Sequence, residues 1–182
     1  IRDLKLQNLR AHLAVVLQDV FLFSDTIYQN IVLNQEVSRA EVAEAAGFIG
    51  VSDFIESLPG QYDYNVQERG NMLSVGQRQL LAFLRAYVSN PSVLILDEAT
   101  SSVDTHSEML IQQAIEKITK GRTSIVIAHR LATIKKAHNI LVMDQGQIVE
   151  QGTHEELLAR NGYYTRLYEM QFKEEATRTP SS

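Results

Sequence analysis

Val93-Leu94-Ile95-Leu96-Asp97-Glu98 is an unbroken apolar run that stops abruptly at two carboxylates. A half-exposed strand alternates polar and apolar residues; a run with no alternation marks a strand buried on both faces, the kind found in parallel sheets covered by helices. Two other stretches have the same form: His12 to Leu17 ends at Gln18, and Ser124 to Ala128 ends at His129. Asn139 to Met143 and Gln147 to Glu150 flank Asp144-Gln145-Gly146, a turn tripeptide, and read as a hairpin. Strands that alternate with helices predict an α/β fold around a parallel sheet. In such sheets ligands gather outside the carboxyl ends of the strands, and here those ends carry Gln18, Asp97-Glu98 and His129.

Helical signals fill the intervals. Ser38 with Glu41, Thr105 with Glu108, and Thr153 with Glu156 each have the spacing of a capping box. Leu80, Leu84, Tyr87 and Val88 recur at helical spacing after Gly76, and Asn90-Pro91 stops that helix. Residues 24–90 read as mainly helical, like a lobe inserted into a strand-rich core of residues 1–23 and 91–170. Residues 171–182 read as a flexible tail.

Bulk composition narrows the function classes. The 182 residues include no cysteine, which excludes disulfides, Cys-ligated zinc and thiol catalysis. The formal net charge of −5 argues against nucleic acid as a partner, since that binding rests on Lys and Arg neutralising phosphates. No apolar run approaches the roughly 20 residues of a membrane-spanning helix. The abrupt opening Ile1-Arg2-Asp3-Leu4 suggests a chain cut from something longer.

Chemistry concentrates in two places. Asp97 at a strand tip suits Mg²⁺ through oxygen ligation, and Glu98 next to it can accept a proton from an attacking water. Adjacent carboxylates raise one pKa unless a cation offsets them, so a metal partner is sensible. The plainer reading is a strand that ends in two acids at the surface. Leu73-Ser74-Val75-Gly76-Gln77 places Ser and Gly at a helix start, where unsatisfied N–H groups and the positive dipole end suit an anion. Its plainer reading is an ordinary N-cap by Ser74.

Taken together, these motifs resemble those of the ATP-binding cassette (ABC) ATPases. Leu73-Ser74-Val75-Gly76-Gln77-Arg78-Gln79 resembles the family's signature motif, with Val75 where a second glycine is usual. Gln18 in Val16-Leu17-Gln18-Asp19 resembles the Q-loop, Asp97-Glu98 the end of Walker B, and Ser101-Ser102-Val103-Asp104 the D-loop. His129 in Ala128-His129-Arg130 resembles the switch histidine, and Glu68-Arg69-Gly70 a segment typical of exporters. The Q-loop, signature, Walker B, D-loop and switch-histidine resemblances, five elements in order, are far more specific than any one alone.

The resemblance implies a P-loop NTPase, RecA-like core with an inserted α-helical signature subdomain, and ATP with Mg²⁺ as cofactors. It implies Glu98 as general base, Asp97 and Gln18 toward the metal, and His129 at the γ-phosphate. It also implies that Ser74, Gly76 and Gln77 cap a nucleotide held by a second nucleotide-binding domain, in a homo- or heterodimer, with Asp104 at that interface. Phe21-Leu22-Phe23 is then either core packing or a groove for a coupling helix of a transmembrane domain, which would put the domain at the cytoplasmic face of the cell membrane. The lone histidines His106 and His154 read as surface residues at helix starts.

The phosphate-binding pattern G-x-x-x-x-G-K-[ST] occurs nowhere, and no Gly-Lys dipeptide exists. The expectation is therefore the C-terminal portion of an exporter's ATPase domain, without the P-loop and the N-terminal strands, inactive by itself and under-packed in its core. Two other readings use the same residues: a non-catalytic dimerising or regulatory fragment, and an ABC ATPase of DNA repair. The latter usually carries a coiled-coil or zinc insertion before the signature, which the short interval here leaves no room for.

Overall fold

In the computed structural model, residues 5–67, 70–97 and 104–176 are described. Two compact units emerge, one up to Ile127 and the other from Ala128.

The first unit is built on a three-stranded sheet in the order β1 (Leu13–Val16), β2 (Val93–Asp97), β3 (Thr123–Ile127). Both pairings are parallel, with Val16 opposite Leu96 and Asp97 opposite Ile127. Paired residues share a face of the pleat. Val16, Leu94 and Leu96 point into the core and are almost wholly buried. On the opposite face Val15, Ile125 and Ile127 are each more than half exposed. The double burial expected from the apolar runs is thus realised on one face only, because the helices of this chain cover one side of the sheet.

That covering is made by the chain between β1 and β2: α2 (Ile27–Val32), α3 (Arg39–Ile49), α4 (Ser52–Glu56), a 3₁₀ turn at Gln61–Asp63 and α5 (Val75–Val88). An α-helix, α1 (Leu6–Ala11), precedes β1, and α6 (Thr105–Thr119) carries the chain from β2 to β3. Ile27, Ile31, Val42, Leu80, Phe83, Leu84 and Ile111 fill one hydrophobic core beneath the sheet. Each such side chain, removed from water, contributes roughly 1.5–3 kcal/mol. The Ser38–Glu41 capping box forms as expected, with Ser38 Oγ accepting from the Glu41 amide and the Glu41 carboxylate accepting from the Ser38 amide. The start of α6 differs by one residue. Asp104, not Thr105, is the N-cap, its carboxylate accepting from the Ser107 amide at 2.9 Å. Both residue types cap well, so the residue at which the helix begins decides between them.

The second unit opens with α7 (Leu131–Lys135) and continues through the antiparallel hairpin β4 (Ile140–Asp144) and β5 (Gln147–Gly152). Gln145 and Gly146 both have positive φ, at 47° and 79°, as a tight hairpin turn of the primed type demands. Helices α8 (His154–Ala159) and α9 (Tyr163–Ala176) follow, the first opened by the expected Thr153–Glu156 capping box. Helix thus continues to Ala176, beyond the position 171 at which the sequence reading begins its tail. His154 corrects another expectation: it is buried, not a surface residue. Its Nδ1 lies 2.6 Å from the Tyr164 hydroxyl, and the rings of Tyr164 and Tyr168 pack against it. Those tyrosines arrive from α9, ten or more positions away, so nothing local to His154 signals its burial. His106 lies on α6, and its side chain is outside the described residues.

Glu150 ties the hairpin to the start of α9. Its carboxylate accepts from the Tyr164 amide at 2.7 Å and the Tyr163 amide at 2.9 Å. These bonds, first that from Tyr164 and then that from Tyr163, hold its pKa below the ordinary value. A depressed carboxylate pKa stabilises the folded form above the unfolded value of about 4.3, and that contribution disappears as pH falls through the lower, folded value. Amide exchange at Tyr163 and Tyr164 should therefore accelerate as pH falls below about 4.3, relative to the intrinsic rates. In Glu150→Gln the protection should be weaker at neutral pH and insensitive to pH across that window. Equal pH dependence in the two proteins would assign the effect to another group.

Candidate functional site

The parallel register sets up the site. Because Val16 pairs with Leu96, the chain leaving β1 toward Gln18 and the end of β2 at Asp97 emerge at the same edge of the sheet. That is the carboxyl edge, where α/β sheets bind ligands. Asp97 itself is the last residue of β2, directly opposite Ile127 of β3. Glu98 and Ser101-Ser102-Val103 lie outside the described residues, as do Glu68 and Arg69. His129 follows β3 by two positions and belongs to the second unit.

The sequence Ser74–Gln77 folds into a helix start because each residue satisfies the other's backbone. Ser74 Oγ accepts from the Gln77 amide at 3.2 Å, and the Gln77 side-chain oxygen accepts from the Ser74 amide at 2.9 Å. The plainer reading of Ser74, an N-cap, is therefore realised. It does not exclude the other: a capping hydroxyl accepts through oxygen and keeps its O–H for donation. The amides of Val75 and Gly76 belong to the first turn and have no intrahelical acceptor. Gln77 closes a capping box whose Ser-x-x-Gln spacing was legible in the sequence, but the sequence reading did not take it as one.

The structure brings this helix start beside the segment after β1. Gln18, Asp19, Val20, Val75 and Arg78 line a common cleft of about 120 Å³. Arg78 braces the approach to α5, donating from Nη1 to the Leu73 carbonyl at 2.6 Å. Gly70, at φ +69°, closes the same corner; a Cβ there would meet Leu22 Cδ1 at 2.7 Å. Asp104 stands at the N-terminus of α6, which packs along α5.

In Phe21-Leu22-Phe23 the core-packing reading holds for Leu22 alone. Leu22 is fully buried in the core, while Phe21 and Phe23 are 55% and 53% exposed, with their rings edge-to-face at 5.0 Å. Two polar residues that the sequence reading passed over hold this segment, Asn30 of α2 and Arg85 of α5. The available signal was an asparagine set among apolar residues in Ile27-Tyr28-Gln29-Asn30-Ile31-Val32, which a buried helix keeps only if the amide has partners. Among the described residues no helix is long and apolar enough to cross a membrane.

A parallel sheet covered by helices, with the start of α5 beside the chain that leaves β1, makes the first unit an α/β fold. The sequence profile of the ABC transporter family matches residues 1–101, and the chain belongs to that family. It is 55% identical over 172 residues to the ATP-dependent lipid A-core flippase of Pseudomonas savastanoi pv. phaseolicola, covering 93% of this chain and 29% of the flippase. It is 47% identical over 173 residues to the uncharacterised ABC transporter ATP-binding protein YknV of Bacillus subtilis, covering 94% and 29%. Among solved structures, a bacterial Atm1-family ABC exporter with ATP bound superposes with a TM-score of 0.80 at 44% identity, covering 97% of this chain and 30% of the exporter. The chain thus spans less than a third of the length of these relatives.

Proposed function

We propose that this chain is the C-terminal portion of the ATP-hydrolysing domain of an ABC exporter, which couples ATP binding and hydrolysis to transport across a membrane. The observation that carries the reading is the shared cleft between Gln18 and the start of α5, at the carboxyl edge where Asp97 ends β2. In this reading residues 1–23 and 91–170 belong to the RecA-like core, 24–90 to the signature subdomain, and 171–182 to a tail.

Asp97 and Gln18 offer carboxylate and amide oxygens, the hard donors that suit Mg²⁺. Bound there with ATP, the metal would neutralise charge on the phosphates. Glu98 accepts the proton of the attacking water, and His129 donates to the γ-phosphate, where a fixed donor counts most as charge develops. Ser74, Gly76 and Gln77 at the start of α5, with Asp104 at the start of α6, face a second nucleotide-binding domain and close over its ATP. The exposed Phe21 and Phe23 receive a coupling helix of the transmembrane domain, which sets the domain on the cytoplasmic face of the membrane. Supporting this, the relatives include an ATP-dependent flippase and an ABC exporter with ATP bound, and both extend well beyond the region this chain matches. The uncovered face of the sheet, with Val15, Ile125 and Ile127 exposed, is the place for a further layer of the domain.

The test is ATP turnover by the full-length protein. Asp97→Asn, which weakens the metal site, and Ser74→Arg, which fills the anion site with a cation, should each lower the rate by roughly two orders of magnitude or more. Normal turnover with both substitutions combined would overturn the reading.

A further inference from the structure

Phe21 and Phe23 are held outward by a buried polar clamp. Asn30, only 2% exposed, reaches from α2 to the backbone of Phe23 on both sides: its Oδ1 accepts from the Phe23 amide at 2.8 Å, and its Nδ2 donates to the Phe23 carbonyl at 2.9 Å. Arg85 reaches in from α5. Its Nε donates to the Asn30 carbonyl at 2.7 Å, and Nη1 and Nη2 donate to the Phe21 carbonyl at 3.3 and 3.4 Å. Leu22, between the two clamped residues, is sunk in the core and packs where Gly70 leaves room just ahead of α5. The result is an exposed aromatic pair with an immobilised backbone.

Stability alone does not call for this arrangement. Arg85 is drawn out of water, and this desolvation lowers its pKa. The groups that receive its hydrogen bonds are carbonyl oxygens, which offset less of that cost than a carboxylate would. Two large apolar rings are meanwhile kept in water, each giving up the burial that would stabilise it. The clamp makes mechanical sense. Arg85 sits ten residues along α5 from Val75, a rigid lever of roughly 15 Å between the helix start and the aromatic pair.

We propose that Arg85 and Asn30 are positioning residues that join the Ser74–Gly76 helix start to the Phe21–Phe23 surface, so that movement of α5 on nucleotide binding is delivered to the membrane partner. This rests on the reading of the Phe21–Phe23 surface as the contact for a coupling helix.

The experiment uses the full-length protein in phospholipid vesicles, with a nitroxide pair across the cytoplasmic ends of its membrane helices. The spin-label distance is recorded with and without Mg-ATP and vanadate, and ATP turnover is measured on the same samples. Arg85→Lys, which keeps the charge but loses the fork, and Asn30→Ala should keep turnover within about twofold while the equilibrium constant for the nucleotide-driven distance change falls about tenfold, inside the usual range of coupling energies. The paired substitution Phe21→Ala with Phe23→Ala, which leaves the clamp intact, should produce the same uncoupling. If the phenylalanine pair uncouples while Arg85→Lys and Asn30→Ala do not, the clamp inference fails alone. If the phenylalanine pair leaves the distance change intact, the coupling surface itself is misassigned and the inference falls with it. If the clamp variants lose turnover and distance change together, in step with lost folded protein, their role is purely structural and the inference is overturned.

Discussion

Full-length protein carrying Glu98→Gln is expected to lose ATP turnover by two to four orders of magnitude, the contribution of a well-placed general base, yet to bind Mg-ATP as the unaltered protein does. Glutamine preserves the shape and hydrogen-bonding reach of the side chain but cannot take up the proton of the attacking water. Binding and closure, which rest on other groups, proceed; the step that reopens the pair of domains does not. ATP-bound dimers should therefore accumulate, seen as nucleotide retained through gel filtration at a larger apparent mass. Asp97→Asn should behave differently, because it weakens the metal site and with it nucleotide retention. Unchanged turnover in Glu98→Gln would remove Glu98 from the role proposed for it.

The second large effect concerns the 182 residues as they stand. Titrated with Mg-ATP in a calorimeter, they should bind more weakly than about 1 mM, against the micromolar range common to nucleotide sites; the difference is at least roughly 4 kcal/mol. The cause is chemical. A loop of the form G-x-x-x-x-G-K-[ST] supplies backbone N–H groups around the phosphates and a lysine to neutralise them, and the chain contains no such pattern. The groups it does contribute, Ser74 and Gly76 at a helix start, face a partner's nucleotide in the proposed arrangement. Micromolar binding by the isolated chain would mean that its phosphate site is built from residues other than those named here.

Much of the fold was legible in the sequence. The apolar run before Asp97 marks β2, which starts at Val93, although the burial on both faces that such a run implies is realised on one face only. The hairpin turn at Gln145-Gly146 and the capping boxes at Ser38 and Thr153 are equally local, each settled by a few adjacent backbone groups. Where two residues competed for one local job, as Asp104 and Thr105 did at the start of α6, spacing could not choose between them.

What lay beyond the sequence has one physical character: it depends on partners that distant segments supply. His154 is buried because Tyr164 and Tyr168 fold over it from another helix. Arg85 finds the Phe21 carbonyl 64 positions away, and Asn30 finds the backbone of Phe23. The sequence by itself determined the chemistry on offer, meaning the acidic strand tip, the serine–glycine helix start and the strands that carry them. Only the tertiary structure decided that the start of α5 shares a cleft with the segment at Gln18 and which side chains are held out in water, since a side chain's environment is set by whatever packs against it.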